Sequence, residues 1–187
     1  MKKKIALLGM ILTSLTLWSQ SRMIPINTSE SNIQWVGKKV TGQHNGTINL
    51  QSGVLEMTAG VLSGGQFEVN MTTISCQDLS GEYKNKLDGH LKSDDFFGVE
   101  QYPTATMVIT NAEQKMPNHY AINGDLTIKG ITHPVFFEMH FEDQSAQAKV
   151  VIDRAKYDVK FRSGSFFENL GDNLIYDDFE LEVALKF

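Results

Sequence analysis

Cysteine is nearly absent: Cys76 stands alone among 187 residues. A single thiol closes no intramolecular disulfide, so stability has to come from core burial and strand pairing. With no second thiol and no flanking histidine to activate it, Cys76 reads as a buried small hydrophobe rather than a reactive group. Proline is sparse, four in all, and nowhere do Gly, Pro and Ser gather into a linker. Repeats and low-complexity tracts are missing as well. Past the N-terminal lysines there is no basic run, and the formal net charge is −5. Nucleic acid and anionic membrane surfaces are therefore poor partners. What remains is one domain large enough to bury a substantial core.

The N-terminus has a composition of its own. Lys2, Lys3 and Lys4 precede an uncharged, mostly apolar run from Ile5 to Trp18, and Ser19-Gln20-Ser21 offers small residues beyond it. The run is short of the about 20 residues a spanning helix needs. It predicts a cleaved secretory signal over residues 1–21 and a domain over 22–187, placed in the periplasm or outside the cell without a stable membrane anchor. Removing three lysines and no acid leaves the remainder more acidic still.

The dominant signal after that is alternation with a period of two. Ile33-Trp35-Gly37, Phe67-Val69-Met71, Ala105-Met107-Ile109 and Tyr120-Ile122-Gly124-Leu126-Ile128 carry it. So do Val135-Phe137-Met139-Phe141, Ala146-Ala148-Val150-Ile152 and Phe179-Leu181-Val183-Leu185-Phe187. Strands of this kind have one buried and one solvated face, as antiparallel sheets do. Turn chemistry falls at Gln51-Ser52-Gly53, Ser63-Gly64-Gly65, Pro117-Asn118, Lys129-Gly130 and Glu142-Asp143-Gln144. The fold class is all-β: an antiparallel meander that closes into a barrel or sandwich, closure removing exposed edges. One stretch reads as helix, Gly81 to Lys92, with Ser80 as its cap and Tyr83, Leu87 and Leu91 on one face. Ser93 to Phe97 suggests a short second turn of helix. The aromatic segment from Phe161 to Asp178 is expected to pack over something.

Several phrases are familiar. Gly124-Asp125-Leu126-Thr127-Ile128-Lys129-Gly130-Ile131-Thr132-His133-Pro134-Val135 resembles the strand–turn–strand of the YceI-like family of polyisoprenoid-binding proteins. Asp88-Gly89-His90-Leu91-Lys92-Ser93-Asp94-Asp95-Phe96-Phe97 followed by Tyr102-Pro103-Thr104-Ala105 is similar to its second signature. Ser31 to Gly37 with His44-Asn45-Gly46 resembles its N-terminal strand pair, so the likeness covers about residues 23–187. Two positions depart from the pattern: Leu87 stands where many members carry Arg, and Asp158 where many carry Gly.

The resemblance implies an extended lipocalin-like barrel enclosing a long apolar channel for a long-chain isoprenoid, a quinone or a similar amphiphilic lipid. Alternation alone leaves open whether inward side chains fill the interior or line a cavity. The residues expected to line a channel are Ile33 and Trp35, then Phe67, Val69 and Met71, then Met107 and Ile109. Ile122 and Leu126 follow, with Phe137, Met139, Phe141 and Val150, and with Phe166 and Phe167 from the aromatic segment. Methionine would let the wall adapt to different chains. Arg162 or Lys160 could meet a polar head at the mouth. Monomer and homodimer are equally compatible with the sequence.

Chemistry beyond binding finds little support. His44, His90, His119, His133 and His140 show no metal-ligand spacing with Cys76 or one another. His90 with Asp88 is the one acid–base pairing available to an enzyme acting on such a lipid, and no nucleophile accompanies it. Asp172, Asn173, Asp177 and Asp178 miss the calcium-loop pattern. Ser163-Gly164-Ser165 is not a nucleophile elbow, and no Gly-rich loop cradles a phosphate. The reading is therefore a binding protein, not an enzyme, without cofactor or resident metal. The rivals are that lipid-directed enzyme and a filled-core interaction barrel.

Overall fold

The computed structural model describes residues 20–187. The expected signal run, apart from Gln20 and Ser21, lies outside them. The described residues form nine strands: β1 (Ser21–Pro25), β2 (Asn32–Lys39), β3 (Gly42–Thr58), β4 (Val61–Cys76), β5 (Thr104–Met116), β6 (His119–Ile128), β7 (Ile131–Glu142), β8 (Ser145–Asp153) and β9 (Ile175–Lys186). An α-helix, α1 (Gly81–Lys92), sits in the β4–β5 connection. Among the described residues no helix is long and apolar enough to cross a membrane.

Strands β2 to β9 close into an eight-stranded antiparallel barrel, each paired with its sequence neighbour and β9 returning to β2. Closure rests on β3. Its first half pairs with β2 and its second half with β1, while β4 runs along its other edge. All-antiparallel closure pairs every barrel strand on both sides along at least part of its length, which suits a chain without disulfides. The alternating sets point inward as read: Ile33, Trp35, Tyr120, Ile122, Leu126, Val150 and Leu185 are all buried.

Two expected turns are strand instead. Gln51-Ser52-Gly53 lies inside β3 at a bulge, where the register with β4 shifts between Leu50 and Ser52. Ser63-Gly64-Gly65 lies inside β4. These glycines mark close approach rather than reversal: Phe67 Cδ1 and Ile26 Cγ1 lie 3.0 Å from where a Gly53 Cβ would stand. The reversal falls at Ala59-Gly60, both at positive φ, as in the tight hairpin turn that matches strand twist. Pro117-Asn118, Lys129-Gly130 and Asp143-Gln144 are turns as expected.

Helix α1 has the expected bounds, but the Ser80 hydroxyl makes no capping bond. Of its expected apolar face only Leu91 is buried; Leu87 is partly buried and Tyr83 is 75% exposed. A 3-10 turn, Arg154–Tyr157, follows β8 and ends at Asp158 in the left-handed conformation, φ 60°. A glycine, which the resemblance leads one to expect here, adopts this conformation without strain. Aspartate tolerates it better than most residues, and Lys129 Nζ donates to the Asp158 carbonyl at 3.1 Å.

The aromatic segment does not cap the barrel with Phe166 and Phe167, which are 43% and 50% exposed. Both of their backbone N–H groups donate to the Ser163 carbonyl, folding the chain into a turn anchored by the fully buried Ser163. The two rings therefore project outward, with the Lys160 ammonium 5.3 Å from the Phe166 ring centre.

Candidate functional site

Inside the barrel lie two apolar chambers that share a wall. The first, about 130 Å³, is bordered by β2, β4, the end of α1, Phe96, Phe97 and the start of β9. The second, about 90 Å³, is bordered by Phe67, Met107, Phe137, Met139, Val150 and Leu185 among others. Ile33, Val69, Leu126, Ile152 and Leu181 line both, so the chambers meet at these five side chains. An engineered apolar cavity of about 150 Å³ stays dry and takes up benzene, so spaces of this size and lining favour apolar guests over water.

Ten of the expected lining residues border a chamber. Trp35 and Met71 face the first, Phe67, Met107, Phe137, Met139 and Val150 the second, and Ile33, Val69 and Leu126 both. Ile109 and Ile122 are inward and 5% and 1% exposed, yet they border neither chamber, because the barrel is filled where they stand. Phe141 packs edge-on against Tyr120 at 5.4 Å and near Phe187 at 6.0 Å, away from both spaces. Phe166 and Phe167 lie outside.

The polar group at the end of the first chamber is Arg154, not Arg162 or Lys160. Arg154 is 2% exposed. Its guanidinium donates to the carbonyls of Val159 at 2.8 Å, Ile175 at 3.0 Å and Tyr176 at 3.2 Å. Phe96 lies beneath it, its ring centre 5.6 Å away. Burial pushes the guanidinium below its ordinary value, and the charges of Asp177 and Asp153 oppose that. Asp177 Oδ1 approaches to 3.3 Å as a charge partner without a formed hydrogen bond. Arginine thus pins the 159–176 backbone over the chamber. Tyr176, 48% exposed, marks where the chamber nears the surface. Lys160 instead pairs with Asp158 at 2.6 Å, and Arg162 lies over Phe161.

Of the two residues an enzyme would need, Asp88 is engaged locally and His90 is packed among aromatic rings. Asp88 accepts from the Cys76 amide at 2.7 Å, from Ser75 Oγ at 3.1 Å and from Lys84 Nζ at 2.9 Å. His90 is wedged between Phe161, 4.3 Å away centre to centre, and Phe96, 5.5 Å away. Its buried Nε2 has no hydrogen-bond partner, and neither residue borders a chamber.

Two histidine associations were invisible to sequence spacing because they cross strands. His119 and His140 are register partners with ring centres 4.1 Å apart. His44 Nδ1 and Asp78 Oδ2 lie 2.9 Å apart, and Cys76 Sγ donates to Asp78 Oδ1 at 3.0 Å. Burial and that hydrogen bond push the Cys76 thiol above its ordinary value. For Asp78, burial acts upward, but the bonds from Cys76, His44 and the Asn45 amide outweigh it and hold the carboxyl at about 2.

A family model described as the YceI-like domain matches residues 25–187. The chain belongs to the YceI-like family. Among curated relatives, the UPF0312 protein of Shewanella denitrificans is 35% identical over 95 residues, 51% of this chain and 48% of that protein. A UPF0312 protein of Staphylococcus aureus is 30% identical over 111 residues, 54% and 60% of the two chains. This YceI-like chain thus spans about half the length of the curated relatives it matches. Among solved structures, BcnA of Burkholderia cenocepacia superposes with a TM-score of 0.65 at 17% identity, covering 86% of this chain and 98% of that one. A polyisoprenoid binding domain from Saccharophagus degradans gives 0.59 at 13% identity, covering 86% and 95%. Likeness at these identities establishes a shared barrel fold.

Proposed function

We propose that this YceI-like protein is an exported binding protein, not an enzyme, that holds the chain of an isoprenoid-type lipid, a quinone or a similar amphiphile in the barrel interior. The observation that carries the reading is the pair of apolar chambers on either side of a common wall of Ile33, Val69, Leu126, Ile152 and Leu181. Each methylene moved from water into such a space is worth roughly 0.8 kcal/mol, so a long tail supplies affinity without polar contacts, offset in part by its lost freedom. Met71, Met107 and Met139 border the chambers, and their unbranched side chains can withdraw to widen them around a guest. The Saccharophagus degradans neighbour, described as polyisoprenoid binding, supports the ligand class. The N-terminal Lys2-Lys3-Lys4 and apolar run supports export. Apolar lining discriminates between chains only weakly, about 1–3 kcal/mol per methylene, so the ligand is assigned as a class.

The test is native mass spectrometry of the protein purified from its own secretory route, followed by organic extraction. One isoprenoid or quinone per chain establishes the carrier and names its cargo. A bare mass that also takes up no added long-chain isoprenoid turns the reading to a filled-core interaction barrel.

A further inference from the structure

We propose that His44, Cys76 and Asp78 form a binding site for a zinc-class divalent cation on the barrel wall, separate from the apolar chambers. Neither chamber is bordered by any of the three, and the proposal does not depend on the lipid reading.

The donor set is already gathered. One ligand atom from each residue lies within 4.8 Å of the other two. Nitrogen, sulfur and oxygen ligands sit at roughly 2.0–2.3 Å from zinc, which places tetrahedral ligand atoms roughly 3.3–3.8 Å apart. The bonds of 2.9 and 3.0 Å through the Asp78 carboxylate need to open by less than an ångström to admit the ion. The backbone fixes the three positions from both strands. Cys76 is the cross-strand partner of Gly46, the Gln77 amide donates to the Asn45 carbonyl at 2.9 Å, and the Asn45 amide donates to Asp78 Oδ1 at 3.1 Å. Around them, Lys84 donates to the Cys76 carbonyl and Asp88 accepts from the Cys76 amide, the kind of outer layer that orients metal ligands.

Charge and access select the ion. A thiolate and a carboxylate together neutralise a divalent cation: binding releases the thiol proton, and the Nδ1 proton that His44 donates to Asp78 gives way to the ion, leaving a neutral imidazole with its proton on Nε2. Sulfur with imidazole favours zinc and its softer neighbours over magnesium or calcium. Cys76 is wholly buried, whereas the His44 and Asp78 side chains are 33% and 28% exposed, so the ion enters from their side. Three protein ligands leave a fourth position for water or another ligand.

Cobalt(II) titration of the metal-free full chain tests this, because a thiolate ligand gives a charge-transfer band that carboxylate and imidazole do not. The expected result is a band saturating at one cobalt per chain, discharged by zinc. C76S should abolish the band and H44Q should weaken zinc binding at least tenfold, with metal-free melting curves showing that both variants fold. Absence of the band, or zinc affinity unchanged in H44Q and in C76S, overturns the site.

Discussion

The indole of Trp35 stands where a side chain on Gly46 would have to be: its Cζ2 and Cε2 lie 2.5 and 2.6 Å from the position of a Gly46 Cβ. The two residues are direct partners across β2 and β3, and the Ser75 carbonyl crowds the same point from β4. Trp35 is thereby pressed against its own sheet and forms part of the first chamber wall. Its indole N–H donates to the Thr47 carbonyl at 3.3 Å.

Gly46→Ala should therefore displace either the indole or the β4 backbone. Overpacking of this kind costs about 1–3 kcal/mol, and thermal denaturation of the variant should show it. Gly124→Ala offers a comparison: there the nearest atom is the Met107 sulfur at 2.8 Å, the end of a flexible side chain, although the Val108 carbonyl at 3.0 Å limits the relief. The Gly46 variant should be the less stable of the two.

Val69 stands at the wall common to both chambers. Val69→Phe should fill space beside that wall and hinder a tail that has to reach from one chamber into the other, so that long-chain uptake falls at least tenfold while short apolar probes still enter. Displacement of a fluorescent apolar probe measures the loss, and a melting curve checks that the fold survives. Phe166→Ser with Phe167→Ser should leave uptake unchanged, since both rings face solvent.

Arg154 holds three carbonyls of the 159–176 segment. Arg154→Met removes the donors and leaves those carbonyls unsatisfied, at a cost of at least about 2 kcal/mol. Lysine lacks the planar fork and should rescue only part of it. Limited proteolysis should cut both variants between residues 159 and 176 faster than the parent.

His90 gives stability a pH dependence of known sign. Burial between Phe96 and Phe161 pushes its pKa below the ordinary 6.5; Asp95 opposes this and Arg162 adds to it. Below 6.5 the unfolded chain takes up the proton and the folded chain does not, so unfolding is favoured as pH falls, until the folded value is passed. Chemical denaturation between pH 7.5 and about 5 should show this decline, and His90→Phe should flatten it. Asp78 acts in a separate window. Its stabilisation is present above the ordinary carboxyl value of 3.8 and is lost as pH falls towards about 2.

Strand alternation made the barrel legible in the sequence, because burial of one face leaves a period of two wherever a strand is regular. It breaks down in β3, where His44, Gly46, Gly53 and a bulge interrupt the pattern, so alternation does not reveal Ile48 and Leu50 although both border a chamber. Lining residues were legible as inward residues only. Ile109 and Ile122 share the phase of Met107 and Leu126, and nothing in a periodicity tells a packed layer from an empty one. Arg154 gave no signal because a buried arginine satisfied by backbone carbonyls looks in sequence like any charged residue after a strand. The outward direction of the Phe166 and Phe167 rings is not legible in composition, because it is set by the turn at Ser163. His44, Cys76 and Asp78 come together through pairing of β3 with β4, which residue spacing does not encode.

The most direct test of a lipid-holding interior uses Trp35 as its reporter. In a chain that lacks Trp18, through removal of residues 1–21 or through Trp18→Phe, Trp35 is the sole tryptophan, inside the first chamber wall. A long-tailed quinone should quench its fluorescence saturably at one per chain, and the same quinone ring without its tail only at far higher concentration. Quenching that never saturates, or that is equal for the tailed and tailless compounds, would contradict a lipid-holding interior.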